Sequence, residues 1–260
     1  MSEAALVCEG LSLETHLARP PLSAGRTTQP GLVICHGLPV GEGAAATAGH
    51  TFPQLADRVA AETGWACLTF CFRGAGASEG EFSIAGWVAD LHAATAYLRA
   101  QQVQNIWLAG FSLGGTIAIH VAGNDPSIRG VASLSAPSDL SAWSSDPAYL
   151  LALVRQVGLV GPDAQPDLAV WSAEVAALDP LGSAARVPPR PFFVVHGSAD
   201  ESVPLADARA LADAAEGQCE LHVLPKGGHR LRHDPRAIAI LLGWLERQST
   251  SGQVPARQSS

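Results

Sequence analysis

Six apolar runs punctuate the chain, and almost every gap between them carries a helical repeat; that alternation limits the fold more than any other feature. The runs are "GLVIC" (31–35), "WACLTFCF" (65–72), "NIWLAGF" (105–111), "GVASLSA" (130–136), "PFFVVHG" (191–197) and "CELHVLP" (219–225). Each is too short for a buried helix and ends near glycine, proline or a polar turn, as a strand buried on both faces does. Helical spacing fills the gaps at 50–62, 84–100, 113–122, 205–215 and 235–247; in the second, Ile84, Trp87, Val88, Leu91, Ala94 and Leu98 recur at three and four. Strand–helix–strand units of this kind close right-handed and give a parallel sheet with helices on both faces. Residues 5–17 alternate loosely around Glu9-Gly10 and predict a strand pair opening the sheet. The expectation is one doubly wound, mostly parallel, eight-stranded α/β domain over residues 1–248.

Residues 137–190 break the rhythm with Pro137, Pro147, Pro162, Pro166, Pro180, Pro188 and Pro189. An insertion of this size above the carboxyl ends of the strands predicts a small lid or pocket wall. Its apolar side chains, Trp143, Tyr149, Leu150, Leu151 and Trp171, fit a pocket for an uncharged, small to medium group and fit a core-facing surface equally well. The polar tail at 249–260 predicts disorder.

Composition excludes several classes. A net charge of -8 and the absence of a basic run argue against nucleic-acid binding. No apolar stretch is long enough to span a membrane, and "MSEAALVCEG" lacks the basic start and apolar centre of a secretory signal. The five cysteines have no metal-type spacing and read as buried free thiols of a cytoplasmic protein. No metal or phosphate-loop motif occurs, so neither a metal nor a cofactor is expected.

The chemistry concentrates at Gly110-Phe111-Ser112-Leu113-Gly114. A G-x-S-x-G stretch between a strand and a helix strains the serine backbone and lifts its hydroxyl clear of the sheet. The competing reading is an ordinary N-cap serine after a glycine turn; the flanking strand and helix favour a nucleophile. A serine needs a base, and the base needs a carboxylate to fix its tautomer. "VHGSADESVP" offers Asp200 past one strand, and "LPKGGHRLRHD" offers His229 past the next. His233 is a rival base that reads better as a cap, whereas His36, His50 and His196 read as packing residues. Glu201 and Asp139 are rival acids.

These motifs, with "HGLP" (36–39) and "FRGAGASEG" (72–80), resemble the α/β-hydrolase superfamily, and the resemblance runs over residues 5–248. It implies the α/β-hydrolase fold, with Ser112 as nucleophile, Asp200 as acid and His229 as base. It also implies an oxyanion hole built from the backbone N–H groups of Leu113 and Leu38. The loop "VGEGAAATAGH" (40–50) is longer and richer in glycine than the family's short version, and predicts mobility. Arg73 and Ser78 are expected only to tie their loop. A serine at position 112 disfavours branches with a carboxylate nucleophile. The expected activity is hydrolysis of small-molecule carboxylic esters through an acyl-enzyme. Thioesters, lactones or amides share the same triad, and a non-catalytic ligand-binding module is the reading from another class. Oligomeric state is not encoded in any motif.

Overall fold

A computed structural model describes residues 5–20 and 29–251. Nine strands fall among them: β1 Leu6–Cys8, β2 Leu11–Leu13, β3 Thr15–Ala18, β4 Pro30–Cys35, β5 Ala66–Phe70, β6 Asn105–Phe111, β7 Val131–Leu134, β8 Phe192–Gly197 and β9 Glu220–Leu224. Seven of these build one sheet in the order β3-β5-β4-β6-β7-β8-β9. β3 runs antiparallel to β5, and every other neighbour is parallel. The order reverses direction beside β4 and β6, the switch point where ligands bind in sheets of this class.

The sheet is one strand smaller than expected, because β1 and β2 pair only with each other. Glu9 and Gly10 both take positive φ, 51° and 85°, the conformation of a two-residue hairpin turn. That turn closes Leu6 on Leu13 and Cys8 on Leu11, satisfying the strands locally. Leu6, Cys8 and Leu13 face the core nonetheless, and only β3 continues onto the sheet edge.

Strand periodicity divides the core. Val33, Cys35, Ile106 and Leu108 point to one face, where they meet α2 (Ile84–Ala100) and α3 (Leu113–Asn124). Leu32, Ile34, Trp107 and Ala109 point to the other, against α1 (Phe52–Thr63) and the carboxyl-terminal helix, which runs Pro235–Ser251. On that second face Trp244 stacks on Phe193 and meets Trp107 edge-on. The carboxyl-terminal helix extends three residues into the stretch expected to be disordered. Trp65 donates its indole N–H to Ser249, which anchors the added turn. The remainder of that tail, 252–260, lies outside the described residues.

Residues 137–190 fold into α4 (Ser141–Ser145), α5 (Pro147–Val157), α6 (Leu168–Ala177) and α7 (Pro180–Ala185); α8 (Leu205–Ala214) follows β8, and the carboxyl-terminal helix is α9. Two of the prolines start helices instead of breaking them. Pro147 and Pro180 sit in the first turns of α5 and α7, behind Asp146 and Asp179, whose carboxylates cap the free amides. Leu150, Val154, Trp171 and Val175 are buried in the same cluster as Phe82 and Trp87, with Trp171 edge-on to Phe82 at 5.4 Å.

Candidate active site

Ser112 sits at the corner between β6 and α3 with φ 51° and ψ −129°, a conformation that costs a non-glycine residue about 1–3 kcal/mol. The corner is held on both sides: Ser112 N–H donates to Leu134 O at 2.8 Å, and Gly115 N–H donates to Ser112 O at 2.8 Å. The glycines around it are required by contact. A Cβ on Gly110 would overlap the Gly114 carbonyl, and one on Gly114 would overlap the His36 carbonyl. Gly115 belongs to the same constraint, since its Cβ would lie 2.9 Å from Ala136.

β8 and β9 end beside this corner. Past β8, Asp200 has a side chain with no exposure; past β9, His229 has one 18% exposed. His229 Nε2 lies 3.1 Å from Ser112 Oγ, and its Nδ1 lies 2.9 Å from Asp200 Oδ2. Asp200 Oδ1 accepts from the amides of Ser202 and Val203, both at 2.9 Å. Burial alone would raise this carboxyl. The Val203 amide, His229 and the Ser202 amide overcome that and hold it below the usual carboxylate range, so it is ionised at neutral pH. The two loops are laced together: Ala199 N–H donates to Gly227 O at 2.8 Å and Lys226 N–H to Ser198 Oγ at 2.9 Å.

The rival residues lie elsewhere. Asp139 is exposed and accepts from the Ser141 amide at 2.8 Å, and Glu201 is exposed. His233 lies 2.6 Å from an Arg232 nitrogen, as the acceptor of that contact. His196, read from sequence as packing, has a sharper task. It is fully buried, donates from Nε2 to Val203 O at 2.9 Å, and lies 3.4 Å from Asp200 Oδ2. It therefore braces the turn that aims the carboxylate.

His36 also does more than pack. Its Nδ1 lies 2.8 Å from Gly37 O and its Nε2 accepts from Phe72 N–H at 3.0 Å, which joins the end of β4 to the end of β5. Burial pushes it down to about 4, so the ring is neutral and can accept. Gly37 then passes so close to the serine that an added Cβ would stand 2.7 Å from both Phe111 O and Ser112 Cβ. Leu38 follows at the lip of the cavity. Leu113 opens α3, where the first N–H groups have no acceptor within the helix. The 40–50 loop is tied at two points, Gly43 N–H to Gln156 O at 3.1 Å and Gly76 N–H to Ala45 O at 2.8 Å. Arg73 and Ser78 tie their loop as expected: Arg73 pairs with the fully buried Asp90 at 2.8 Å, and Ser78 donates to Cys71 O at 2.6 Å.

A cavity of about 270 Å³ opens at Ser112, walled by Leu38, Phe52, Phe111, His229 and Arg232 among others. All its walls come from 36–52, 111–112 and 229–233. Trp143, Tyr149, Leu150, Leu151 and Trp171, for which the sequence leaves a pocket wall and a core-facing surface equally open, are not among its walls. Leu150 and Trp171 face inward instead, onto the core beside α2. Arg232 was missed: the stretch "HRLRHD" was weighed for its histidines, although cations beside a base in an acidic chain were a visible signal. Among the described residues, no three His, Cys, Asp or Glu side chains are placed to hold a metal, and no helix is long and apolar enough to cross a membrane.

A family model described as the alpha/beta hydrolase fold matches residues 30–157, from β4 to the end of α5. The chain has the α/β-hydrolase fold. Solved structures similar to this chain include Est1E from Butyrivibrio proteoclasticus, with 19% identity, a TM-score of 0.70, and coverage of 95% of this chain and 97% of that one. The esterase domain of a Rhodothermus marinus protein shows 22% identity and a TM-score of 0.67, over 95% of this chain and 97% of that one. A monoacylglycerol lipase from Paleococcus ferrophilus shows 18% identity and a TM-score of 0.65, over 90% of this chain and 98% of that one. At such identities the shared property is the fold. No curated protein matches the sequence.

Proposed function

We propose that this α/β-hydrolase is a serine hydrolase that cleaves carboxylic esters of small to medium acyl chain through an acyl-enzyme. The observation that carries the reading is the unbroken relay from Ser112 Oγ through His229 to Asp200, at 3.1 and 2.9 Å. His229 Nε2 takes the hydroxyl proton as Ser112 Oγ bonds to the ester carbon, and Asp200 stabilises the imidazolium through Nδ1–H. The carbonyl oxygen becomes an oxyanion, received by the amides of Leu113 and Leu38. Collapse expels the alkoxide, which leaves with the proton from His229. Water then repeats the sequence on the acyl-enzyme, returning Ser112 and releasing the acid. The 270 Å³ cavity suits a small substrate.

On this proposal residues 137–190 are an insertion in a single domain that braces the loops around the site. The five free cysteines suit a reducing cytoplasm. The neighbours named as esterases agree in fold with this reading. Hydrolysis of p-nitrophenyl acetate, run beside a thioester and an amide, tests it. Ser112→Ala and His229→Ala each abolish turnover while keeping the wild-type circular dichroism; activity near wild type in either removes that residue from the mechanism.

A further inference from the structure

We propose that Arg232, with Arg230 beside it, forms an anion subsite on the wall of the active-site cavity, so that the preferred ester carries a carboxylate. The proposal rests on the hydrolase reading and names the substrate class for it.

Its first ground is the sign of the cavity. Arg230, Arg232, His229 and His233 line it with Ser112, and no aspartate or glutamate does, in a chain whose net charge is -8. Two arginines therefore stand, with no carboxylate among the walls, where the cavity reaches the proposed nucleophile. The acidic residues nearby in sequence do not cancel their charge. Asp234 is engaged by Arg236 at 2.6 Å, and Glu42, in the 40–50 loop, is exposed and outside the lining.

The second ground is how the arginine is held. Arg58, Arg73, Arg99, Arg186 and Arg236 each pair with a carboxylate. Among the described residues, neither Arg230 nor Arg232 has a carboxylate within 4.0 Å. Arg232 is half-buried, its guanidinium lies 4.7 Å from the centroid of the Phe52 ring, and Nη2 donates to His233 Nε2 at 2.6 Å. Ring and imidazole fix the plane of the fork. They supply no negative charge. Burial, and then Arg230, push the guanidinium below its ordinary range, the signature of a cation short of a counter-charge. Its field also reaches the cavity floor, where it adds to burial in keeping His36 neutral. A planar, pre-oriented guanidinium in a partly water-excluded site is the group best matched to a carboxylate, which it can hold through two parallel hydrogen bonds. A purely apolar ester would leave that charge desolvated, and an anionic one would compensate it.

Short half-esters of dicarboxylic acids combine such a carboxylate with a scissile ester at a size the cavity takes. The test compares kcat/KM, by proton release, for monoethyl glutarate against ethyl pentanoate (charge on the acyl side), and for the butanoyl ester of glycolic acid against propyl butanoate (charge on the alcohol side). In at least one pair the wild type favours the charged ester by about 10- to 100-fold, the scale of a hydrogen bond to a charged group. Arg232→Gln lowers that ratio about tenfold or more and Arg232→Lys recovers only part of it, since the charge persists without the fork. If Arg232→Gln does not fold, Arg230→Gln, at an exposed position, carries the same ratio test. Neutral esters preferred in both pairs, or a ratio untouched by the substitution, overturns the subsite and leaves the hydrolase reading standing. If none of the four esters turns over, hydrolysis of p-nitrophenyl acetate decides the hydrolase reading. Calorimetric titration with glutarate then decides the subsite: binding lost in Arg232→Gln upholds it, and no binding to the wild type at millimolar glutarate overturns it.

Discussion

Gly37→Ala tests whether the loop after β4 is built to touch the elbow. The added methyl would stand 2.7 Å from Phe111 O and 2.7 Å from Ser112 Cβ, where ordinary contact begins at 3.4 Å. Relief thus requires a shift of about 0.7 Å on one side, enough to take a donor out of the 2.7–3.1 Å range that an oxyanion hole needs. The elbow side cannot yield cheaply. Ser112 is fixed by 2.8 Å hydrogen bonds in both directions, and Gly114 already packs on the His36 carbonyl. The displacement falls on the Gly37-Leu38 peptide, which carries the proposed second donor. Loss of one such donor lowers kcat by about 10²–10³-fold with little change in KM, because the contact forms only in the transition state. Overpacking of this kind costs about 1–3 kcal/mol, roughly 2–12 °C in Tm for a domain of this size. The assay is steady-state hydrolysis of p-nitrophenyl acetate beside a thermal melt. A variant with kcat within about threefold of wild type would refute the placement of the donor, whatever its Tm.

Asp200→Asn lowers kcat by about 10⁴-fold, the scale on which a base held in the wrong tautomer fails, and Asp139→Asn leaves it within about threefold; the reverse ranking moves the acid to the segment after β7. His36 is held near 4 by burial and titrates near 6.5 when unfolded, so acid protonates the unfolded chain first. The stability it contributes is complete above about pH 6.5 and falls by roughly 3 kcal/mol on the way to pH 4, and His36→Asn flattens that loss in denaturant titrations; parallel pH profiles would show that His36 is not the cause. Gly243→Ala, in α9 with nothing within 4 Å of the added methyl, raises stability by about 0.5–1 kcal/mol. A lower Tm in that variant would mean that Gly243 is needed for close packing.

Where the sequence was legible, local pattern and tertiary demand coincided. The helix Ile84–Ala100 and the strand Asn105–Phe111 have the bounds expected of them, because an apolar stripe and a capping Ser83 define one and glycine-bounded burial on both faces defines the other. That Ser112, Asp200 and His229 come within hydrogen-bond distance of one another follows from the place of each after a strand of a parallel sheet, whose carboxyl ends converge. The hairpin at residues 6–13 was read correctly as strands and wrongly as part of the sheet, since alternation reports a buried face and not the partner strand. Leu150 and Trp171 show the same limit: an apolar side chain above a sheet looks alike whether it faces a ligand or the core. Ser249 reads as tail because its tertiary partner, the Trp65 indole, is 184 residues away. His36, His196 and Arg232 escaped for the same reason, as their partners Phe72, Val203 and Phe52 are assembled only by the fold.

The central claim is that Ser112 is a nucleophile activated by His229. Reaction with a fluorophosphonate, followed by intact mass and peptide mapping, addresses it directly. The account predicts a single phosphonyl adduct on Ser112, absent from Ser112→Ala and formed at least about 10³-fold more slowly in His229→Ala. No adduct on the wild type, or an adduct that forms at the same rate without His229, would contradict it.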